Sequence, residues 1–355
     1  MIGAWQQRIR AAAAARTPLR LRGGGSKDFY GNAPVGEVLD TRAYAGIVDY
    51  DPTELVLTAR AGTPLSDVER TMAEAGQMLA FEPPRFGAGA TLGGTVAAGL
   101  SGPRRPYAGA VRDYVLGVRM LDGSGADLAF GGRVMKNVAG FDVARMMAGA
   151  LGTLGLLLEI SLKCLPLPKA VAVRVLDCDA DEAIRLATAW AGRPLSLAGT
   201  SHVDGRLRVR LSGAAPAVAA AAAKIGGEAD PDGDAHFTAI REQTHPFFGA
   251  ATLPGRALWR LSVKPTAPAQ DLGGPQLVEW GGALRWLDAD AGADPQALRA
   301  WAAGHGGHAT LFRAADRSAG VFQPLAAPLL ALHRRLKANF DPAGILNPGR
   351  LHPEF

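Results

Sequence analysis

The order of apolar and polar residues along the chain predicts alternating helices and strands. Residues 3–16 read as a helix that ends before Pro18, and "LRLR" (19–22) then alternates with the period of a short strand. "GEVLDTR" (36–42) and "ELVLTARAG" (54–62) have strand character and are joined through "AGIVDYDP". In "GTPLSDVERTMAEAG" (62–76), Thr63 is placed to cap a helix, Pro64 suits its first turn and Gly76 its stop. Leu65, Val68, Met72 and Ala75 fall on one face of that helix, the pattern of a helix packed on a sheet. Residues 111–130 read as two strands around a turn at Gly123 to Gly125. The stretch 136–168 begins polar, passes through a short helix and ends in an apolar strand. Pro166 and Pro168 mark a change of composition and a domain boundary.

Beyond that boundary "VAVRVLDC", "RLRVRLSG", "RALWRLSVKP" and "GALRWLD" have strand character. They are separated by an alanine-rich helix at 214–224 and another near 295–303, the alternation of an α+β cap. Residues 324–350 read as a helix followed by a Pro/Gly turn. The expected organisation is a domain at 1–169, a smaller α+β cap at 170–320, and a C-terminal segment at 321–355 that packs back on the first domain.

Composition narrows the partners. A content of 48% hydrophobic and 20% charged residues is that of a globular chain, and 355 residues suffice for two domains. The net charge of +5 is not gathered into a basic block and aromatic residues are few, which argues against nucleic acid. A phosphate-bearing small ligand is a simpler use for the excess. The two cysteines, Cys164 and Cys178, form no CxxC pair and fit a reducing compartment. An iron–sulfur cluster needs about four thiolates, so a standard cluster would have to sit on another chain. The first twenty residues carry Arg8, Arg10 and Arg16 and no apolar signal core. The apolar run at 148–162 is interrupted by glycines and Glu159, and is too short for a bilayer. The expectation is a soluble cytoplasmic protein without direct membrane insertion.

Two glycine-rich passages remain. "RGGGSK" (22–27) follows a predicted strand, and "GATLGGTVAAG" (89–99) combines glycines with other small residues and two threonines. A diphosphate asks for several backbone N–H groups aimed at one locus, with no Cβ atoms to hold the backbone away. Either passage alone could be an ordinary loop; together they suggest one anionic ligand gripped from two sides. Neither has the spacing of a nucleoside-triphosphate loop or of a Rossmann G-x-G-x-x-G unit. The residues themselves point to a dinucleotide or diphosphate, and a side chain at Gly93 is expected to enter the ligand space.

The motifs "LRGGGSK", "LTARAGTPLSDVE", "GATLGGTVAAGLSGP", "RDYVLGVRMLDGSG", "KNVAGFDVARMMAGALGTLGLLLEISLKCLPLP" and "FDPAGILNPGR" occur in this order. In this the chain resembles FAD enzymes of the vanillyl-alcohol oxidase and D-lactate dehydrogenase type, with their two-part FAD-binding PCMH-type domain. The "KNVAGFDVARMMAG" block resembles in particular the smaller flavin-binding E subunits of bacterial glycolate oxidases. The resemblance is dense over about 1–169 and the last thirty residues, and sparse between them, where "GGHATLFR" carries it.

It implies that Arg22, Gly23, Gly24, Gly25, Ser26 and Lys27 form the first diphosphate loop. Gly89, Ala90, Thr91, Gly93, Gly94, Thr95, Ala97 and Gly99 face it from the other side. It also implies that Lys136, Asn137, Gly140 and Asp142 lie by the cofactor, that Gly152 and Gly155 approach its flavin half, and that Asn347 returns to the flavin. For Asp142 and Asn347 a turn-stabilising role is an equally open and compatible reading. Relatives that tether FAD covalently through the first loop carry a histidine where this chain has Gly25, so FAD is expected to be held without a covalent bond.

Oxidation of a 2-hydroxy acid calls for an arginine to hold the carboxylate and a base for the hydroxyl proton. Arg241, Arg260 and Arg313 are candidates for the first role, and the sequence does not rank them. His305 and His308 could ligate zinc at their spacing, but no acid flanks them, and a loop without metal is the expectation. His202 and His245 read as structural or surface residues. The resemblance further implies a complex with a larger flavin subunit and an iron–sulfur subunit. In such a complex this chain passes electrons from a small 2-hydroxy acid through flavin to a partner. A self-sufficient dehydrogenase and a non-catalytic assembly subunit with a structural FAD are the alternatives.

Overall fold

The apolar run that ends the 148–162 stretch becomes strand Leu156–Lys163, buried at six of its eight positions. In this computed structural model, which describes residues 1–132 and 142–355, that strand lies at the centre of a five-stranded antiparallel sheet. The order is Ile47–Asp51, Val56–Arg60, Leu156–Lys163, Val115–Leu121, Asp127–Gly131. Central strands are apolar on both faces because both faces are covered, whereas the edge strand Asp127–Gly131 alternates exposed and half-buried residues. The last two strands form the hairpin expected around Gly123 to Gly125.

The chain forms two units: residues 1–101, 109–167 and 324–355, and residues 102–108 with 168–323. In the first, helix Ile2–Ala15 buries Trp5, Ile9 and Ala12 in a core shared with Leu19, Leu158 and Leu346. Strand Leu19–Arg22 pairs in parallel with Glu37–Asp40, and Leu19 also bridges Leu346. The bonds Leu19 N to Ile345 O (2.7 Å) and Asn347 N to Leu19 O (2.9 Å) bring the C-terminal turn to the strand preceding the glycine triplet.

Helix Leu65–Glu74 buries Leu65, Val68 and Met72 as its pattern predicts, while Ala75 lies beyond it and is exposed. Thr63 does not cap it. Pro64 is extended (ψ 133°) and delays the helix to Leu65. The Thr63 hydroxyl instead donates to Arg60 O at 2.7 Å and accepts from Gly46 N at 2.9 Å.

The second unit is an eight-stranded antiparallel sheet. Its order is Glu228–Ala229, Ala170–Asp177, Arg206–Gly213, Leu197–Val203, Gln276–Glu279, Leu284–Asp290, Arg256–Ser262, His308–Arg313. Helices Ala180–Ala191 and Ala215–Ile225 pack through Trp190, Val218 and Ile225 on one part of it, and Pro295–Gly304 packs through Leu298 and Ala302 on another. Residues 102–108 belong to this unit, against the expectation that placed them with 1–169. The Trp280 indole N–H donates to Gly102 O at 3.1 Å, and Arg104 Nη1 donates to the Ser212 hydroxyl at 3.0 Å. Among the described residues no helix is long and apolar enough to cross a membrane.

Candidate functional site

In the first unit the two glycine passages meet main chain to main chain. A Cβ on Gly24 would lie 1.4 Å from the Gly89 carbonyl oxygen, a separation no side chain can occupy. A Cβ on Gly23 would lie 2.4 Å from the Thr91 hydroxyl, which caps helix Leu92–Ala98 by accepting from Gly94 N at 3.2 Å. Gly25 takes φ +78°, turning the chain into the bend that carries Ser26 and Lys27. Glycine is therefore demanded here by the close approach of the two loops.

Two adjoining cavities open beside these loops. They share Leu21, Gly23, Gly94, Ala97, Leu151 and Asn347 among their walls. The first compartment is polar, with Gly23 to Lys27, Arg20, Arg22 and Arg350 against a single acid among the described residues, Asp28. Asp28 accepts from Arg20 Nη2 and Arg22 Nε, each at 2.7 Å, and its carbonyl accepts from Arg350 Nη2 at 2.8 Å. Four cations around one carboxylate leave a positive field beside glycine main chain, which suits a doubly charged diphosphate. The second compartment is apolar, with Met147, Leu151, Leu156 and Leu157 in its wall, and suits a flat ring. Diphosphate and flat ring are parts of one dinucleotide, so the residues present fit such a cofactor.

Asn347 lies where the compartments join. Its side chain accepts from Leu21 N at 2.7 Å and donates to Leu151 O at 2.6 Å, and its backbone takes φ +41°. It ties its turn to Leu21 and Leu151 and lines both compartments.

Other expected positions behave differently. Gly93 lines the apolar compartment, but a Cβ there would meet Ala61, 2.8 Å from its Cβ and 2.9 Å from its carbonyl oxygen, instead of entering ligand space. Gly99 ends helix Leu92–Ala98 and backs onto Gly149. Asp142 caps helix Val143–Met146 and pairs with Arg145 at 2.8 Å. Gly89, Ala90 and Thr95 support the loops from behind without lining either cavity, whereas Gly152 and Gly155 line the apolar one. Lys136, Asn137 and Gly140 lie outside the described residues. Sequence reasoning missed Arg20, Asp28, Thr41, Met147, Leu151 and Arg350. Of these, Arg350 had a signal in its place directly after "NPG".

The second unit gives the three carboxylate candidates different surroundings. Arg241 pairs with Glu242 at 2.9 Å, and Arg313 is held by Gln243 at 3.0 Å while burial pulls its guanidinium down to about 10. Arg260 instead lies over Trp280 (5.0 Å) and beside Trp286 (5.8 Å), and Arg105 stacks on the same Trp280 at 4.5 Å. Burial first, then the charges of Arg260 and Arg105, hold the His308 imidazole below the ordinary range. Arg105 and Arg260 thus share one indole, with His308 within their electrostatic reach. His305 is bonded to Trp301 O at 2.8 Å, and among the described residues no three His, Cys, Asp or Glu side chains are grouped to hold a metal. His202 bonds Cys178 O at 2.9 Å, and His245 caps helix Pro246–Ala250. Cys164 is buried on Gln77 Oε1 at 3.0 Å, and burial pushes its thiol up to about 11.

Comparison with known proteins accords with this geometry. The family described as FAD binding domain matches residues 3–129, and that described as FAD linked oxidases, C-terminal domain, matches 323–351. The solved structure of an alkyldihydroxyacetonephosphate synthase shares the fold at a TM-score of 0.65, covering 97% of this chain and 73% of that one at 15% identity. Fold and cleft define an FAD-dependent oxidoreductase with a PCMH-type FAD-binding domain. Glycolate oxidase subunit GlcE of Escherichia coli (strain K12) is 47% identical over 349 residues, 98% of this chain and 97% of that protein. Glycolate oxidase subunit GlcD of Bacillus subtilis (strain 168) is 31% identical over 156 residues, 43% of this chain and 33% of its own length. The chain belongs to the GlcE family of glycolate oxidase subunits.

Proposed function

We propose that this chain binds FAD without a covalent bond, as one subunit of a glycolate-type 2-hydroxy acid oxidase, and hands electrons from substrate to a partner chain. The observation that carries the reading is the meeting of Gly24 and Gly89, which brings two side-chain-free loops together beside Arg20, Arg22, Lys27 and Arg350. In this reading Gly23 to Lys27 hold the diphosphate, with the Thr91–Gly94 turn packed beside them. Met147, Leu151, Leu156 and Leu157 exclude water from a flat ring, and Asn347 fixes the wall between the two compartments. FAD, when bound, supplies the acceptance of two electrons from the substrate carbon. Two cysteines are too few for an iron–sulfur cluster. In this reading onward transfer runs to the larger flavin subunit and an iron–sulfur subunit that the family resemblance implies, in a reducing cytoplasm that free thiols suit.

The test is an absorption spectrum of the purified chain before and after acid precipitation. A flavin spectrum that passes wholly into the supernatant is expected. A colourless chain that takes up no FAD overturns the cofactor, and colour retained in the pellet overturns the non-covalent bond.

A second reading is favoured by Arg105 and Arg260 stacked on Trp280: the chain oxidises a 2-hydroxy acid by itself, with Arg260 and Arg105 holding the carboxylate. Anaerobic mixing with glycolate separates the two. Bleaching of the flavin in the isolated chain supports self-sufficiency, and bleaching only with partner subunits supports the relay.

A further inference from the structure

Lys337 is the one buried residue of helix Ala327–Phe340, and it stands at 5% exposure. An ammonium has three donors, and here all three reach acceptors from separate parts of the chain: Thr153 O at 2.8 Å, Leu346 O at 2.8 Å and Asp341 Oδ2 at 2.7 Å. Asp341 is buried to 1% and accepts in turn from Leu346 N at 2.7 Å and Ile345 N at 3.2 Å. The residue after Leu346 is Asn347, which ties Leu21 to Leu151; all three line both compartments of the cleft. Thr153 closes the same turn as Leu151 through its hydroxyl on Ala150 O at 2.7 Å.

Resting on the FAD reading of the cleft, we propose that Lys337 is a positioning residue: its ammonium sets the Leu151–Thr153 and Leu346–Asn347 walls at the spacing that accepts one ring system of the cofactor. Simple stability does not account for the pair. A buried Lys–Asp pair replaced by apolar residues of similar volume is often as stable or more so, yet no apolar side chain can donate to the carbonyls of Thr153 and Leu346. What the pair supplies is the distance between two turns that share no strand.

The test compares wild-type protein with Lys337→Met and with Lys337→Met/Asp341→Leu, the double change sparing the fold an uncompensated buried carboxylate. Amide hydrogen exchange is measured on apoprotein, FAD affinity by titration, and the affinities of ADP and FMN by competition. The expected double variant unfolds as cooperatively as wild type and exchanges faster at residues 151–153 and 345–347, with residues 23–27 unchanged. It binds FAD roughly tenfold or more weakly, as for the loss of one or two well-placed bonds. It weakens ADP and FMN unequally, the larger loss falling on the half whose ring those walls receive. Equal FAD affinity across the three proteins overturns the proposal, and so does parallel weakening of both halves with faster exchange throughout the first unit. Wild-type protein that binds no FAD overturns the underlying reading and this proposal with it, whereas binding by wild type that the variants match overturns this proposal alone.

Discussion

The two units present different kinds of surface. The first offers main chain: its loops touch where they have no side chains, and arginines and a lysine supply a field around them. The second offers side chains, with Arg105 and Arg260 stacked on one indole and His308 within their electrostatic reach. A backbone cradle tolerates almost no substitution where the loops touch, because any Cβ is already too much. A side-chain cluster can lose one member and keep its shape. Damage to the first unit should therefore be all-or-none, and damage to the second graded.

The sharpest break in that contrast is Gly24→Asp. Its Cβ would fall on the Gly89 carbonyl, so flavin absorbance per polypeptide is expected to vanish while the second unit still unfolds cooperatively in calorimetry. Full colour in this variant would end the account of the two loops. Next in size is Arg260→Leu. The holoprotein should keep its flavin, while its affinity for glycolate or a non-reacting carboxylate such as oxalate falls roughly 10- to 100-fold, the worth of a hydrogen bond to a charged group. Arg313→Leu serves as control and should leave that affinity within about twofold, since Arg313 is bound up with Gln243.

The third break is acid. His236, bonded to the Ser201 hydroxyl at 2.7 Å, is lowered to about 3, first by burial and then by Arg208; His245 beside it is lowered mainly by burial. Both stay neutral in the fold, so the unfolded chain takes up protons first as pH drops below about 6.5. Stability present above that value is then lost progressively towards pH 3. Thermal scans should show the second unit's transition falling over that window, and His236→Gln, which still bonds Ser201, should flatten part of the fall. The smallest effect belongs to Gly93→Ala. The added methyl meets Ala61 on the strand side, which shifts helix Leu92–Ala98 slightly and weakens FAD binding by about two- to fivefold.

The contrast also explains what could be read in advance. Glycine triplets, a proline–glycine turn and an alternating strand leave local marks, so "RGGGSK", "TLGG" and the Asn347 turn were legible before any coordinates. Strand Leu197–Val203, "LAGTSHV", left no such mark: it is buried along nearly its whole length in mid-sheet and bulged near Ala198, so neither polar alternation nor an aliphatic run betrays it. Chain proximity places residues 102–108 with the first domain, whereas the bonds of Gly102 to Trp280 and of Arg104 to Ser212 show where they belong. Arg260 is one of three arginines the sequence does not rank. Its stacking on Trp280, like the pairing of Arg241 and Arg313 with their neighbours, is a property of packing. Thr63 had the right residue type for a cap, yet the extended Pro64 displaced the helix by one position.

The heptapeptide Gly102–Ala108 makes the molecule hard to dissect. An excised fragment 168–323 would surrender the carbonyl that Trp280 bonds, the guanidinium stacked upon its indole and the arginine anchored on Ser212. Anyone wishing to express the modules separately must graft that short plug onto the excised piece, and must bridge its vacated place in the other with a new linker.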